Sequence, residues 1–144
     1  MRDRYQAHFD GSPGTSKLLP GCGWIMYRNL VQVIAQENVT LPIGTTSNEA
    51  EWQGLLYLLK HIHKENYPEP VEIFGDSQLI VYQATGKYQV RNARLKVYHA
   101  AFVELQKEIR EQGKTVAIGW HRREFNSDAD AISHGVPRDT QSPN

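Results

Sequence analysis

The chain has 144 residues; Lys and Arg together number 16, Asp and Glu also number 16, and the formal net charge at pH 7 is zero. With 40% apolar and 22% charged residues, the composition is that of one globular domain able to bury a core. The single Cys22 excludes an internal disulfide and an all-cysteine zinc site, and no apolar run approaches the ~20 residues of a membrane helix.

Residues Met1-Arg2-Asp3-Arg4-Tyr5-Gln6 are polar with no apolar stretch behind them, so no secretory leader is expected. A soluble, cytoplasmic, monomeric protein with no membrane partner is the expectation. Residues 4–10 alternate, with Tyr5, Ala7 and Phe9 on one side and Gln6 and His8 on the other. This period of two predicts a strand, stopped by Gly11-Ser12-Pro13-Gly14 and followed by a loop over 12–21. Residues 23–27 and 30–35 predict a hairpin turning at Arg28-Asn29; the strand continues to Val39 before Pro42 and Gly44 break the run.

Thr45-Thr46-Ser47-Asn48-Glu49 marks a helix start, with Thr46 and Glu49 at capping-box spacing. Ala50, Leu55, Leu58, Leu59 and Ile62 recur behind it at helical spacing, until Tyr67-Pro68-Glu69-Pro70 ends the helix. Val71-Glu72-Ile73-Phe74 predicts a short strand running into Gly75-Asp76-Ser77, and 78–84 a short helix. Residues 92–112 predict the longest helix, with Leu95, Tyr98, Phe102, Leu105 and Ile109 as its apolar stripe. Residues 115–121 return to strand, and 127–134 form a last short helix ended by Gly135 and Pro137. The domain is therefore expected over 1–136, with 137–144 a flexible polar tail. The order β-β-β-α-β-α-α-β-α predicts an α/β fold, a mixed sheet covered by helices, since a crossover helix makes its flanking strands parallel.

Asp10 ends the first predicted strand and Asp76 the fourth; Glu51 and Asp130 sit in the first turns of helices. If the first and fourth strands are parallel neighbours, Asp10 and Asp76 emerge side by side at the carboxyl edge, where α/β sheets place their sites. Clustered carboxylates raise one another's pKa unless a cation neutralises them, and hard oxygen donors favour magnesium or manganese over zinc. Such a site beside a phosphate suits phosphodiester hydrolysis. Acids at strand ends and helix starts are also common for solvation and for the helix dipole, so spacing alone leaves both readings open.

The words around these acids narrow the choice. His8-Phe9-Asp10-Gly11-Ser12, Thr46-Ser47-Asn48-Glu49-Ala50-Glu51, Gly75-Asp76-Ser77-Gln78 and Asn126-Ser127-Asp128-Ala129-Asp130 occur in that order. Together they resemble the ribonuclease H type 1 family, its reverse-transcriptase-like branch in particular, over residues 5–133. The resemblance implies a ribonuclease H-like fold, a five-stranded sheet in the order 3-2-1-4-5 with helices on both faces. It also implies that Asp10, Glu51, Asp76 and Asp130 are the catalytic metal-binding acids for two magnesium (or manganese) ions. Asp10 would bridge both ions, Asp130 would help hold the ion that activates water, and Glu51 and Asp76 the ion facing the leaving 3′-oxygen. The family places its last acid four residues after the Asn and just after a small residue, which selects Asp130 over Asp128.

The implied reaction is hydrolysis of the RNA strand of RNA–DNA hybrids, leaving 5′-phosphate and 3′-hydroxyl ends; double-stranded RNA stays open as a second partner. By the same resemblance Asn48 and Gln78 would contact the 2′-hydroxyl, Gly11 and Ser12 would offer backbone contacts beside Asp10, and Ser47 would touch the minor groove. Asn48 also reads as a helix-start residue bonding its own backbone, and Gln78 as a solvent-facing residue. Trp24 reads as core, whereas Trp52 reads equally as core or as a stacking surface.

Two departures stand out. The family's basic handle is missing, since only 85–91 separates the helices that would flank it; Lys87, Arg91, Arg94 and Lys96 are candidates to replace it. The loop after the last strand is shorter than in members that carry a His there; Arg123 resembles the Arg of relatives without the handle, and the resemblance makes it the first candidate for contacting the departing phosphate, ahead of His121 and His134. The alternatives are a catalytically idle nucleic-acid-binding module or protein-interaction domain of the same fold, and a related nuclease such as a junction resolvase or a 3′–5′ exonuclease. Asp10-Gly11-Ser12, in place of the exonucleases' Asp-x-Glu, argues against the exonuclease.

Overall fold

The structure, a computed structural model, describes residues 2–139. Strand β1 (Tyr5–Ser12) sends Tyr5, Ala7 and Phe9 to one face of the sheet, as its alternation predicts. Strand β2 (Gly21–Arg28) is buried on both faces. Trp24 and Met26 join the main core, while Ile25 and Tyr27 meet Ala129 and Ile132 on the opposite side. Strand β3 (Gln32–Thr40) forms one edge, antiparallel to β2. Strands β4 (Val71–Gly75) and β5 (Val116–Trp120) complete the sheet in the order β3-β2-β1-β4-β5; β1, β4 and β5 are mutually parallel.

Helices α1 (Ser47–Lys64) and α3 (Ala93–Glu111) cover one face and α4 (Ser127–Ser133) the other; α2 (Gln78–Ala84) packs beside β4 and β5. A 3-10 turn (Arg123–Phe125) joins β5 to α4. The apolar stripe of α1 is buried throughout, and that of α3 inserts Leu95, Phe102 and Ile109. Trp52 is fully buried, with its indole N–H donating to Gln83 Oε1 at 3.0 Å, so it belongs to the core and offers no stacking surface. Trp24 is core as well, donating to Glu37 Oε1 at 2.9 Å. No helix among the described residues is long and apolar enough to cross a membrane.

Three boundaries differ from the sequence expectation: β1 runs on through Gly11 and Ser12, expected as its stop, because both pair with β2, at Cys22 and Gly21. The β2–β3 turn falls one residue later, at Asn29 and Leu30, both left-handed (φ 54 and 68). It is clasped to the start of β1: Asn29 N–H donates to the Arg4 carbonyl (2.7 Å), and Arg4 N–H to Asn29 Oδ1 (2.8 Å). Leucine has no intrinsic preference for that conformation, so composition does not announce the turn. β2 starts at Gly21, inside the expected loop. That glycine permits close approach rather than a turn: a Cβ there would lie 2.4 Å from the Ser133 carbonyl oxygen, at the end of α4. Of the tail expected over 137–144, Arg138 is tied by backbone to Gln36 and by its guanidinium to Asp128; residues 140–144 lie outside the described residues.

Candidate metal centre

The parallel register of β1 and β4 ends at Phe9↔Gly75; β1 runs on to Ser12 against β2, so Asp10, still in the sheet, stands beside Asp76, the residue that follows β4. Helix α1 is placed by its capping box: Thr46 Oγ1 accepts from Glu49 N–H (3.2 Å), and Glu49 Oε1 accepts from Thr46 N–H (3.1 Å). Glu49 is also paired with Arg94 (2.7 Å) and accepts from the Tyr98 hydroxyl (3.1 Å), which locks the helix start to α3. Gly54 lets α1 lie directly on β1, since a Cβ there would sit 2.6 Å from the Asp10 carbonyl oxygen. One turn earlier, Glu51 is thereby aimed at Asp10. Ser77 caps α2, accepting from Ile80 N–H (3.3 Å), immediately after Asp76.

Asp10, Glu51 and Asp76 each present a carboxylate oxygen within 4.8 Å of the other two. Asp130 stands outside that triad, at the mouth of the same cavity of about 340 Å³, which Gly11, Ser12, Ser47, Ser77, Arg123 and His134 also line. Its carboxylate is 3.6 Å from His134 Nε2, one turn along α4. All four candidate acids therefore line one cavity, three of them within 4.8 Å of one another. Asn48 and Gln78 do not line the cavity; both are exposed, at the starts of α1 and α2. Ser12 Oγ accepts from Gly14 N–H (3.2 Å), shaping the loop beside Asp10. Among the basic residues of the α2–α3 connection and the start of α3, Arg94 is engaged by Glu49, and Lys87 lies 4.4 Å over the Tyr82 ring.

Electrostatics follow from this crowding. Burial, with the charges of Asp76 and Asp130, pushes Asp10 up to about 7, although its hydrogen bonds with Glu51 and with Gly11 N–H (2.9 Å) pull the other way. Glu51 is raised well above the ordinary carboxylate range, first by burial, then by the Asp10 charge, its hydrogen bond to Asp10, and the charges of Asp76 and Asp130. Asp76 is raised by burial, and Arg123, His121 and a hydrogen bond from Asn126 oppose the rise. Glu51 Oε2 is buried with no hydrogen-bond partner among the described residues. Three clustered carboxyls raised first by burial, one of them with an orphaned buried oxygen, and Asp130 in the same cavity lining make a set of hard oxygen donors that fits a divalent cation of the magnesium or manganese kind.

Asp128 points away. Its Oδ2 accepts from the Tyr27 hydroxyl, and Oδ1 lies 3.2 Å from Arg138 Nε, so it staples α4 to β2 and to the chain beyond. Two residues whose roles sequence reading did not reach brace the centre from behind. Asn126 is fully buried, donates to the Phe9 carbonyl (2.9 Å) and shares a hydrogen bond with His121 Nε2 (2.7 Å). The Trp120 indole N–H donates to the Asp76 carbonyl (3.0 Å). The Asn was visible only as the first letter of the last motif, and Trp120 only as a strand-end aromatic. His121, stacked on Phe74, takes part in this brace and does not line the cavity, whereas Arg123 and His134 both do.

A family model described as reverse transcriptase-like matches residues 8–136. Among solved structures, RNase H1 from the halophilic archaeon Halobacterium salinarum NRC-1 is similar at TM-score 0.78 and 25% identity, over 92% of this chain and 96% of that one. LC11-RNase H1 in complex with an RNA/DNA hybrid is similar at TM-score 0.77 and 24% identity, with coverage of 92% and 96%. The N-terminal RNase H domain of a Mycobacterium tuberculosis protein matches at TM-score 0.78 and 21% identity, over 94% of each chain.

Proposed function

The chain belongs to the reverse transcriptase-like family and is a ribonuclease H; from that premise we propose that it cuts the RNA strand of RNA–DNA hybrids internally, by water, leaving 5′-phosphate and 3′-hydroxyl ends. The observation that carries the proposal is the convergence of Asp10, Glu51, Asp76 and Asp130 on one cavity from four separate elements. Asp10, Glu51 and Asp76 would hold one magnesium or manganese ion, and Asp10 with Asp130 a second. When bound, these ions supply Lewis-acid stabilisation of the charge that develops on the phosphate and the leaving oxygen.

The chain's own residues do the rest. Burial and the neighbouring charges raise the carboxyls of Asp10 and Glu51, so loading of the ions would be coupled to proton release. Arg123, at the cavity wall and attractive to Asp76, offers a guanidinium to the phosphate that departs. Gly11, Ser12 and Ser47, which line the cavity, would contact the strand that enters. Asn48 and Gln78, exposed at the starts of α1 and α2, would reach a 2′-hydroxyl in the minor groove once a hybrid is seated. No nucleophilic side chain is required.

The test is incubation with internally labelled hybrid, with blocked ends, in magnesium and in manganese, with an RNA duplex in parallel. Internal cuts with 5′-phosphate and 3′-hydroxyl products are expected on the hybrid. Intact RNA at enzyme excess, or trimming only from free 3′ ends, contradicts the proposal.

A further inference from the structure

A second groove, of about 320 Å³, opens beside the carboxylate cavity and shares His134 with it. Lys17, Leu18 and Leu19 form one wall, on the connection between β1 and β2; Asn38 and Thr40 of β3 form the other. Its chemistry is the reverse of its neighbour's, for no carboxylate lines it. Lys17 is exposed and, among the described residues, its ammonium has no ion-pair partner. Leu18 and Leu19 are 52% and 57% exposed, an uncovered apolar surface next to a free cation.

This wall is built rather than loose. Thr15 Oγ1 accepts from Lys17 N–H (3.1 Å) and Leu18 N–H (3.0 Å), and Thr15 N–H donates to the Leu18 carbonyl (2.8 Å), so the side chains project from a closed turn. Opposite, Asn38 Nδ2 is spent on the Ile132 carbonyl (2.6 Å) and the Cys22 carbonyl (3.3 Å), which leaves its Oδ1 as an acceptor beside the exposed Thr40 hydroxyl. A cation for phosphate, apolar side chains for the faces of bases and sugars, and an acceptor with a hydroxyl for ribose make a surface suited to single-stranded RNA. A duplex hides its base faces in the stack and would leave the two leucines uncovered.

We propose that this groove carries the unpaired continuation of the RNA strand being cut, where that strand runs past the end of the hybrid. The proposal rests on the hybrid-cleavage reading above and adds a preference to it: hybrids that end in single-stranded RNA are favoured substrates. His134, common to both linings, makes the groove continuous with the cavity of the reacting phosphate at its Asp130 side.

The experiment measures binding of the Asp10→Asn protein, by fluorescence anisotropy, to a blunt hybrid, to hybrids extended by RNA at the 3′ or the 5′ end, and to hybrids with a DNA-strand overhang instead. One RNA polarity should bind about fivefold tighter than the blunt hybrid, and the DNA overhangs should add nothing. Lys17→Ala should remove most of the gain and reduce the salt slope of log Kd by about one, with blunt-hybrid affinity unchanged within about twofold. Leu18→Ser should remove the part that salt does not touch. Equal affinity for blunt and both RNA-extended hybrids, the same gain from DNA overhangs, or a gain that survives both substitutions overturns the proposal. If wild-type protein cuts the blunt hybrid normally while extension changes nothing, the groove alone is refuted. If the blunt hybrid is neither bound nor cut, the hybrid reading fails and takes the groove with it.

Discussion

Asp10 is the residue on which the site's energetics turn. Its carboxyl is pushed from 3.8 to about 7 by burial and by neighbouring acids, so the folded chain holds a proton that the unfolded chain has released. The sign follows from linkage: this contribution to stability is fully present below about pH 4 and is lost as pH rises through 7. His8 runs oppositely. Burial and the neighbouring His121 push it down to about 4, so its contribution is present above 6.5 and lost as pH falls toward 4. The wild-type profile mixes the two, but the difference between Asp10→Asn and wild type isolates the acids. Metal-free Asp10→Asn should melt ~2–5 °C above wild type at pH 8, with the gap narrowing toward pH 5, while cleavage is lost. A gap that does not change with pH in calorimetric melts would show that the repulsion is absent.

The two acids of the last helix separate on the same scale. Asp128 is bonded to Tyr27 and Arg138, whereas Asp130 faces the cavity. Asp128→Ala should cost ~1–3 kcal/mol in urea unfolding and leave cleavage per folded molecule nearly intact. Asp130→Asn should reduce cleavage by orders of magnitude with an unchanged unfolding midpoint. Exchange of those two outcomes would reverse the assignment. The two acids are two residues apart on α4, a spacing that sends them to different faces, Asp130 to the cavity lining and Asp128 to Tyr27 and Arg138.

At the scale of elements, the site depends on how closely α1 lies on β1. Gly54→Ala would drive a methyl group to 2.6 Å from the Asp10 carbonyl oxygen. It should cost ~1–3 kcal/mol in unfolding and weaken magnesium binding by calorimetry, because Glu51 is displaced with its helix. Unchanged metal affinity at reduced stability would mean that Glu51 does not depend on this contact. The helices were legible because their caps and apolar periods are local: Thr46 and Glu49 form the capping box that their spacing announces, and Asn92 caps α3, accepting from Arg94 and Leu95 N–H. What was not legible is what tertiary packing imposes. Leu30 takes a left-handed turn because Asn29 is clasped to Arg4, and Gly21 belongs to a strand because α4 needs room beside it. Trp52 could not be assigned from periodicity alone; its burial is decided by Phe102 and by Gln83 on other helices.

At the scale of the molecule, the centre is a product of topology. Parallel pairing of β1 with β4 sets Asp10 beside Asp76, α1 brings Glu51 across from one face, and α4 brings Asp130 from the other. The order of elements was enough to anticipate a mixed sheet covered by helices, while its strand order came from the family resemblance. It was not enough to reveal the brace of Asn126, His121 and Trp120 behind the acids, which joins β1, β4 and β5 through backbone carbonyls and so has no side-chain pattern to read.

The central claim is that these four acids together hold divalent ions in position for hydrolysis. Counting bound manganese by electron paramagnetic resonance, with an uncleavable hybrid present, tests it most directly. Two ions per wild-type chain, and at most one in Asp10→Asn, are predicted. Equal occupancy of the two proteins, or no ion bound by wild type at millimolar manganese, would contradict it.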